Sequence, residues 1–210
     1  MSAPYDSRVR LLASAVLASL LLAGGSARAD GLSTPEVDKL LRGDCVARSQ
    51  ELHRGIRRYV GGVAYKIFDA SPEDLASLLD DVGEWGRFLP KTRDAHRVGA
   101  VGDDPLVQIT HGSALVQVAY TLRVHRDGSS VRFWMDPARA HDIEDVWGFF
   151  RAEPMGDGRT LVTYGILIDM GDGILRDMFE DRVRELALEV PDRVRDVVVQ
   201  RQARGRRAMR

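Results

Sequence analysis

Residues 172–200 read DGILRDMFEDRVRELALEVPDRVRDVVVQ. Phe179, Val183, Leu186, Val190, Val194 and Val197 recur at steps of three and four, and Ile174, Leu175 and Met178 extend the stripe backwards. That spacing predicts one long helix with a broad apolar face. Arg182, Arg184, Glu185, Glu189, Asp192, Arg193 and Asp196 fall largely between the apolar positions. Asp172 reads as its N-cap. Pro191 has no N–H to give the Ala187 carbonyl, so a kink or split is expected there. So broad an apolar face needs a large partner surface. The plain reading is an ordinary core helix; the sharper one is a helix that closes a cavity.

The partner surface lies upstream. Residues 44–52 and 56–68 read as two strands joined through His53-Arg54-Gly55, with Val63, Tyr65 and Ile67 alternating with Ala64, Lys66 and Phe68 in the second. From Asp94 to Met170 the pattern is of strands and turns. Residues 94–101, 105–112, 114–125, 130–136, 144–154 and 159–170 are the strands, and Gly102-Asp103-Asp104, Asp127-Gly128 and Gly156-Asp157-Gly158 carry hairpin chemistry. In residues 114–125, Val116, Val118, Tyr120, Leu122 and Val124 share one face. Successive hairpins make an antiparallel meander, and a sheet this long curls around whatever covers it.

Helices fill the intervals. Thr34-Pro35-Glu36 marks a short helix to Leu41, stopped at Gly43. Ser71 caps a second helix with Pro72 in its first turn, and Leu75, Leu78 and Leu79 are its buried side. A further short helix holds Trp85 and Phe88 and stops near Pro90.

Residues 1–29 have the pattern of a cleavable signal peptide: Arg8 and Arg10, an apolar run Leu11–Ala23 too short to span a membrane comfortably, and Ala27-Arg28-Ala29 as a cleavage site. This predicts a bacterial periplasmic or secreted protein whose first mature residue is Asp30. The expected organisation is a signal peptide 1–29, a short N-terminal helix in 30–43, one domain over 44–200 and a basic, disordered tail 201–210. That tail has five arginines and no acid, and offers a weak contact for anionic lipid at a membrane surface. A protein partner cannot be named from the sequence.

Composition narrows the function classes. Of 210 residues, 44% are hydrophobic, enough for a sizeable core, and 7% aromatic, too few for a broad stacking platform. Taking three arginines and one aspartate of residues 1–29 from 30 basic and 31 acidic residues leaves a net charge of −3. No nucleic-acid partner is expected. Cys45 is the only cysteine, so no intrachain disulfide forms; it reads as a small buried residue rather than a nucleophile.

The stretch Tyr65–Leu75, YKIFDASPEDL, followed by Leu79–Pro90, LDDVGEWGRFLP, resembles the START-like (SRPBCC) superfamily, in particular its polyketide cyclase/dehydrase-like and coenzyme Q-binding-like branch. The resemblance covers residues 43–200. It implies an α+β helix-grip fold: a curved antiparallel sheet wrapped around a long C-terminal helix, with two short helices after an early strand. It also implies an apolar cavity between sheet and helix for a lipid, isoprenoid or polyketide-like molecule. Superfamily members include carriers, receptors and cyclases, so the motif specifies fold better than function.

Candidate chemistry is sparse. None of the five histidines forms a His-x-His or His-Glu-x-x-His pair, no Gly-x-Ser-x-Gly occurs, and the run Asp142–Asp145 lacks the ligand alternation of a calcium loop. No metal or cofactor is expected. Tyr65, Tyr120, Tyr164, His111 and Arg123 sit on strands where any could point inward, but strand parity alone does not say which face is concave; no catalytic residue is assigned. The expected cavity lining is Trp85, Phe88, Trp134, Trp147, Tyr164, Met178, Phe179 and Arg182, with Arg182 orienting a polar group. A carrier of this kind needs no catalysis. The alternatives are a cyclase/dehydratase-like enzyme acting through polar pocket residues and a non-catalytic interaction module.

Overall fold

Alternation of apolar and polar side chains builds the sheet, and i, i+3, i+4 apolar spacing builds the helices that cover it. The computed structural model describes residues 31–113, 116–172 and 174–208, the side chains of 174–179 and 205–208 excepted. The expected signal peptide and the side chains of Met178 and Phe179 lie outside the described residues. In chain order the elements are α1 (Thr34–Leu41), β1 (Val46–Arg54), β2 (Arg57–Phe68), α2 (Pro72–Asp80), a 3-10 turn (Val82–Glu84), α3 (Trp85–Phe88), β3 (Thr92–Val101), β4 (Asp104–Gly112), β5 (Gln117–Asp127), β6 (Ser130–Met135), β7 (Asp145–Pro154), β8 (Thr160–Asp169), α4 (Ile174–Leu188) and α5 (Val190–Ala208). This is the α+β helix-grip architecture, in the unit Pro35–Arg210. Among the described residues no helix is long and apolar enough to cross a membrane.

All eight strands join one antiparallel sheet in the order β1-β2-β8-β7-β6-β5-β4-β3. Strands β3 to β8 form the meander, and β8 closes back on β2 with Val60 opposite Ile168 and Phe68 opposite Thr160. Because β2 and β3 lie far apart in the sheet, α2 and α3 bridge them. Ser71 Oγ accepts from the Asp74 amide while the Asp74 carboxylate accepts from the Ser71 amide, so α2 opens with a full capping box.

Close approach of strands requires glycine where the sheet bends. A Cβ on Gly62 would lie 2.1 Å from the Arg48 carbonyl oxygen, and one on Gly61 2.0 Å from that of Ile166. Gly148 is covered on the inner face by the Phe133 ring, whose Cζ a Cβ would meet at 2.5 Å; Gly165 is covered on the outer face by Phe149. Aromatic rings laid over cross-strand glycines restore packing where the backbone carries no side chain.

The expected terminal helix is bent into two. The Glu189 amide still bonds the Glu185 and Leu186 carbonyls, and the second helix starts at Val190, so the break precedes Pro191. Pro191 therefore sits in the first turn of α5, where its missing N–H leaves no gap. Val194, Val197 and Val198 of α5 are buried with Phe68, Leu75, Leu78 and Val162 in one core. Each such side chain stabilises the fold by roughly 1.5–3 kcal/mol. Helix α5 also runs further than the expected boundary at Gln200, through Ala208, because Arg201 pairs with Asp81 at 2.8 Å and Gln202 Nε2 donates to the Asp69 carbonyl. Residues 201–208 are thus helical rather than a disordered tail.

Lys66 shares the inward face of β2 with Ala64 and Phe68 and is 1% exposed. Its ammonium donates to the Gly43 carbonyl and pairs with Asp192 of α5, each at 2.7 Å. This pair ties β2 to the start of α5 beside the break. Removing only the carboxylate leaves a buried cation with one neutral partner. Asp192→Asn is expected to destabilise the fold by about 2 kcal/mol, less than a fully buried pair because Asp192 is half exposed; Lys66→Met combined with Asp192→Asn is expected to recover most of that loss. Urea unfolding of the variants checks both.

Candidate functional site

The inner face of the sheet is larger than α4 and α5 can fill. The remainder is a cavity of about 510 Å³. Its walls are Ile109 and His111 of β4, Val118, Tyr120 and Leu122 of β5, Val131 and Phe133 of β6, Val146 and Phe150 of β7, and Tyr164, Ile166 and Ile168 of β8. Val183, Leu186 and Ala187 of α4 and Val190 and Val194 of α5 face them, and Leu79, Trp85 and Phe88 close one side. Exposed Lys91, Ser113, Val116, Asp142 and Arg182 also border it, which places the charged groups at solvent-facing positions and leaves the depth mainly apolar. Volume and lining match what drug-sized apolar ligands occupy.

Strand parity decides who reaches this space. Trp85, Phe88, Tyr164 and Arg182 line it. Trp134 and Trp147 do not: they pair directly across β6 and β7, one residue out of phase with the inward Phe133 and Val146. On that outer face the Arg123 guanidinium lies 5.4 Å above the Trp134 ring and pairs with Asp104, which His125 also contacts at 2.7 Å. Burial works to raise the Asp104 carboxyl, but hydrogen bonds from His125 and Arg123 outweigh it and hold the group below the usual carboxylate range. Tyr65, stacked under Arg48 at 5.7 Å, is likewise outside the cavity lining. Arg182 is bordering but exposed, and it ion-pairs with Glu185 one helical turn on.

The polar groups in the depth are His111, Tyr120 and Tyr164. His111 Nδ1 lies 3.1 Å from the Pro90 carbonyl, which can only accept, and 3.1 Å from Thr92 Oγ1. Nδ1 therefore carries the proton, Nε2 accepts, and the Tyr120 hydroxyl donates to Nε2 at 2.8 Å. Burial pushes the His111 imidazole below its ordinary 6.5, and the bond to Pro90 offsets only part of this. Burial pushes both phenols above their ordinary value, with Tyr120 adding to the effect on Tyr164. All three groups are held neutral. The Tyr164 ring is fixed between Phe133, stacked at 6.4 Å, and Phe150, edge-on at 6.5 Å.

Outside the cavity, burial followed by the nearby Asp192 charge pushes the Cys45 thiol up to about 11, so it stays protonated and a poor nucleophile. Among the described residues no cluster of three or more His, Cys, Asp or Glu could hold a metal ion.

No protein-family model and no curated protein matches the chain. Solved structures do. A STAR-related lipid transfer protein from Xanthomonas axonopodis is 14% identical with a TM-score of 0.58, over 73% of this chain and 93% of that one. A START superfamily protein from Mycobacterium smegmatis is 13% identical with a TM-score of 0.55, over 66% and 96%. The Zhui aromatase/cyclase from a Streptomyces species is 16% identical with a TM-score of 0.50, over 76% and 95%. At these identities the likeness is one of fold: the chain has the START-like helix-grip fold.

The neutral His111 gives a pH signature. Its folded value lies below its unfolded value, so the unfolded chain binds more protons as pH falls below about 6.5, and stability drops there. Carboxylates such as Glu51, lowered to about 2 by its Arg58 and then His53 hydrogen bonds, act only below about 4.5. Thermal melts between pH 8 and 5 are expected to show the loss, and His111→Gln to flatten that window while leaving the acid limb in place.

Proposed function

We propose that this protein is an exported carrier that holds one hydrophobic small molecule (a lipid, isoprenoid or polyketide-like compound) between the sheet and its terminal helices. The observation that carries the reading is the cavity of about 510 Å³ whose lining is mainly apolar, with only the neutral groups His111, Tyr120 and Tyr164 as polar side chains in its depth. Transfer of apolar ligand surface into such a space is favourable by roughly 25 cal/mol per Å², so binding needs no catalytic group. The pattern of residues 1–29 supports export to the periplasm or medium, with the mature chain starting at Asp30. The carrier has no cofactor or nucleic-acid partner, and its arginine-rich end makes at most a weak membrane-surface contact.

A second reading, a cyclase/dehydratase-like enzyme, draws on the His111–Tyr120 hydrogen bond inside the cavity. Its weakness is that burial raises the Tyr120 phenol and so makes it a poor proton donor to substrate.

Val118 is half-buried and faces the void. Val118→Trp is expected to fill it, lowering affinity for the neutral fluorophore N-phenyl-1-naphthylamine at least tenfold with the melting temperature unchanged or raised. Unaltered fluorophore binding would count against the carrier. Export is checked by intact-mass measurement after expression in a Gram-negative host: loss of residues 1–29 is expected, and retention of the full chain would contradict it.

A further inference from the structure

Buried polar groups in folded proteins are nearly always hydrogen-bonded. Among the described residues Arg184 Nε and Arg193 Nε lack a partner, in guanidinium groups that pair through their other nitrogens, and one hydroxyl in the cavity lacks one too. Lys66 has Gly43 and Asp192; Thr160 Oγ1 donates to the Ala70 carbonyl at 2.6 Å; Trp85 Nε1 donates to the Leu79 carbonyl at 2.9 Å; Tyr120 donates to His111. Tyr164 is 4% exposed, lines the cavity, and has no hydrogen-bond partner for its hydroxyl among the described residues. Nor is that oxygen among the described buried polar atoms sealed off without a partner, so it opens onto the cavity itself. The ring cannot swing away to find a partner, because Phe133 and Phe150 hold it on two sides.

The tautomer argument sharpens this. Since His111 Nε2 accepts, the Tyr120 proton is committed to it. Tyr164 is then the group in the depth with a proton to give. We propose, building on the carrier reading, that the ligand is a neutral hydrophobe bearing a carbonyl oxygen, and that this oxygen accepts a hydrogen bond from Tyr164. A carboxylate head is disfavoured at that position. The cations bordering the cavity, Lys91 and Arg182, are exposed, and an ionised group carried to Tyr164 would be buried without a counter-ion. A simple alkane would fit the space but offer the hydroxyl no acceptor.

The test is displacement of N-phenyl-1-naphthylamine by 2-nonanone, nonane and nonanoic acid, on the native chain and on Tyr164→Phe. A neutral hydrogen bond contributes a factor of roughly 3–10 in affinity. The expected result is that Tyr164→Phe weakens 2-nonanone about fivefold, leaves nonane unchanged, and does not lower the melting temperature, since no intramolecular bond is lost. Native protein is expected to bind nonanoate more weakly above pH 6 than at pH 4. Equal effects of Tyr164→Phe on ketone and alkane, or none on either, would overturn the assignment while leaving the carrier reading standing. Failure of the native protein to bind any of the probes would overturn both.

Discussion

The concave face of one continuous antiparallel sheet exposes more apolar surface than its covering helices can occupy. That mismatch governs the rest of the structure. At one end α5 settles into the sheet: Val194, Val197 and Val198 meet Phe68, Leu75, Leu78 and Val162, and the space is filled. Elsewhere under α4 and the start of α5 the same kinds of side chain line a void. The curvature has local causes. Gly61 and Gly62 let β1 and β8 close on β2, and Gly148 and Gly165 take the rings of Phe133 and Phe149 in place of side chains.

The break between α4 and α5 lies at the cavity wall, with Val183, Leu186 and Ala187 before it and Val190 and Val194 after it. Pro191 sets its place, and Lys66 fixes the start of α5 by reaching Asp192 from the sheet. A lysine on an inward strand position is unfavourable unless its charge is met. Here the Gly43 carbonyl and a partly exposed carboxylate meet it, so one polar contact joins α1's exit loop, β2 and α5.

Much of this was legible in the sequence, for physical reasons. Runs separated by hairpin turns marked the strands, with clear alternation in residues 56–68 and 114–125, and the Ser71-Pro72 start and the stripe from Val183 to Val197 marked the helices around them. Trp85, Phe88, Tyr164 and Arg182 border the cavity. The face of a strand was not legible where both faces carry large side chains. Trp134 and Trp147 look like cavity residues by size, yet the register of β6 with β7 turns them outward against Arg123 and each other's strand. Alternation put Lys66 on one face with Ala64 and Phe68 without saying which face is inward, and it is the most buried charge among the described residues. The His111–Tyr120 pair was visible only as two strand residues of undetermined direction; its tautomer depends on the Pro90 carbonyl, brought near by a turn that no local pattern encodes.

The central claim is that a guest sits between sheet and helices. Isotope-filtered NOE measurement on methyl-labelled protein with bound N-phenyl-1-naphthylamine addresses it directly. The account requires contacts from the fluorophore protons to Ile109 and Ile166 on the sheet and, in the same complex, to Val190 and Val194 on the helices. Contacts confined to exposed methyls such as those of Ile56 or Val199 would contradict it.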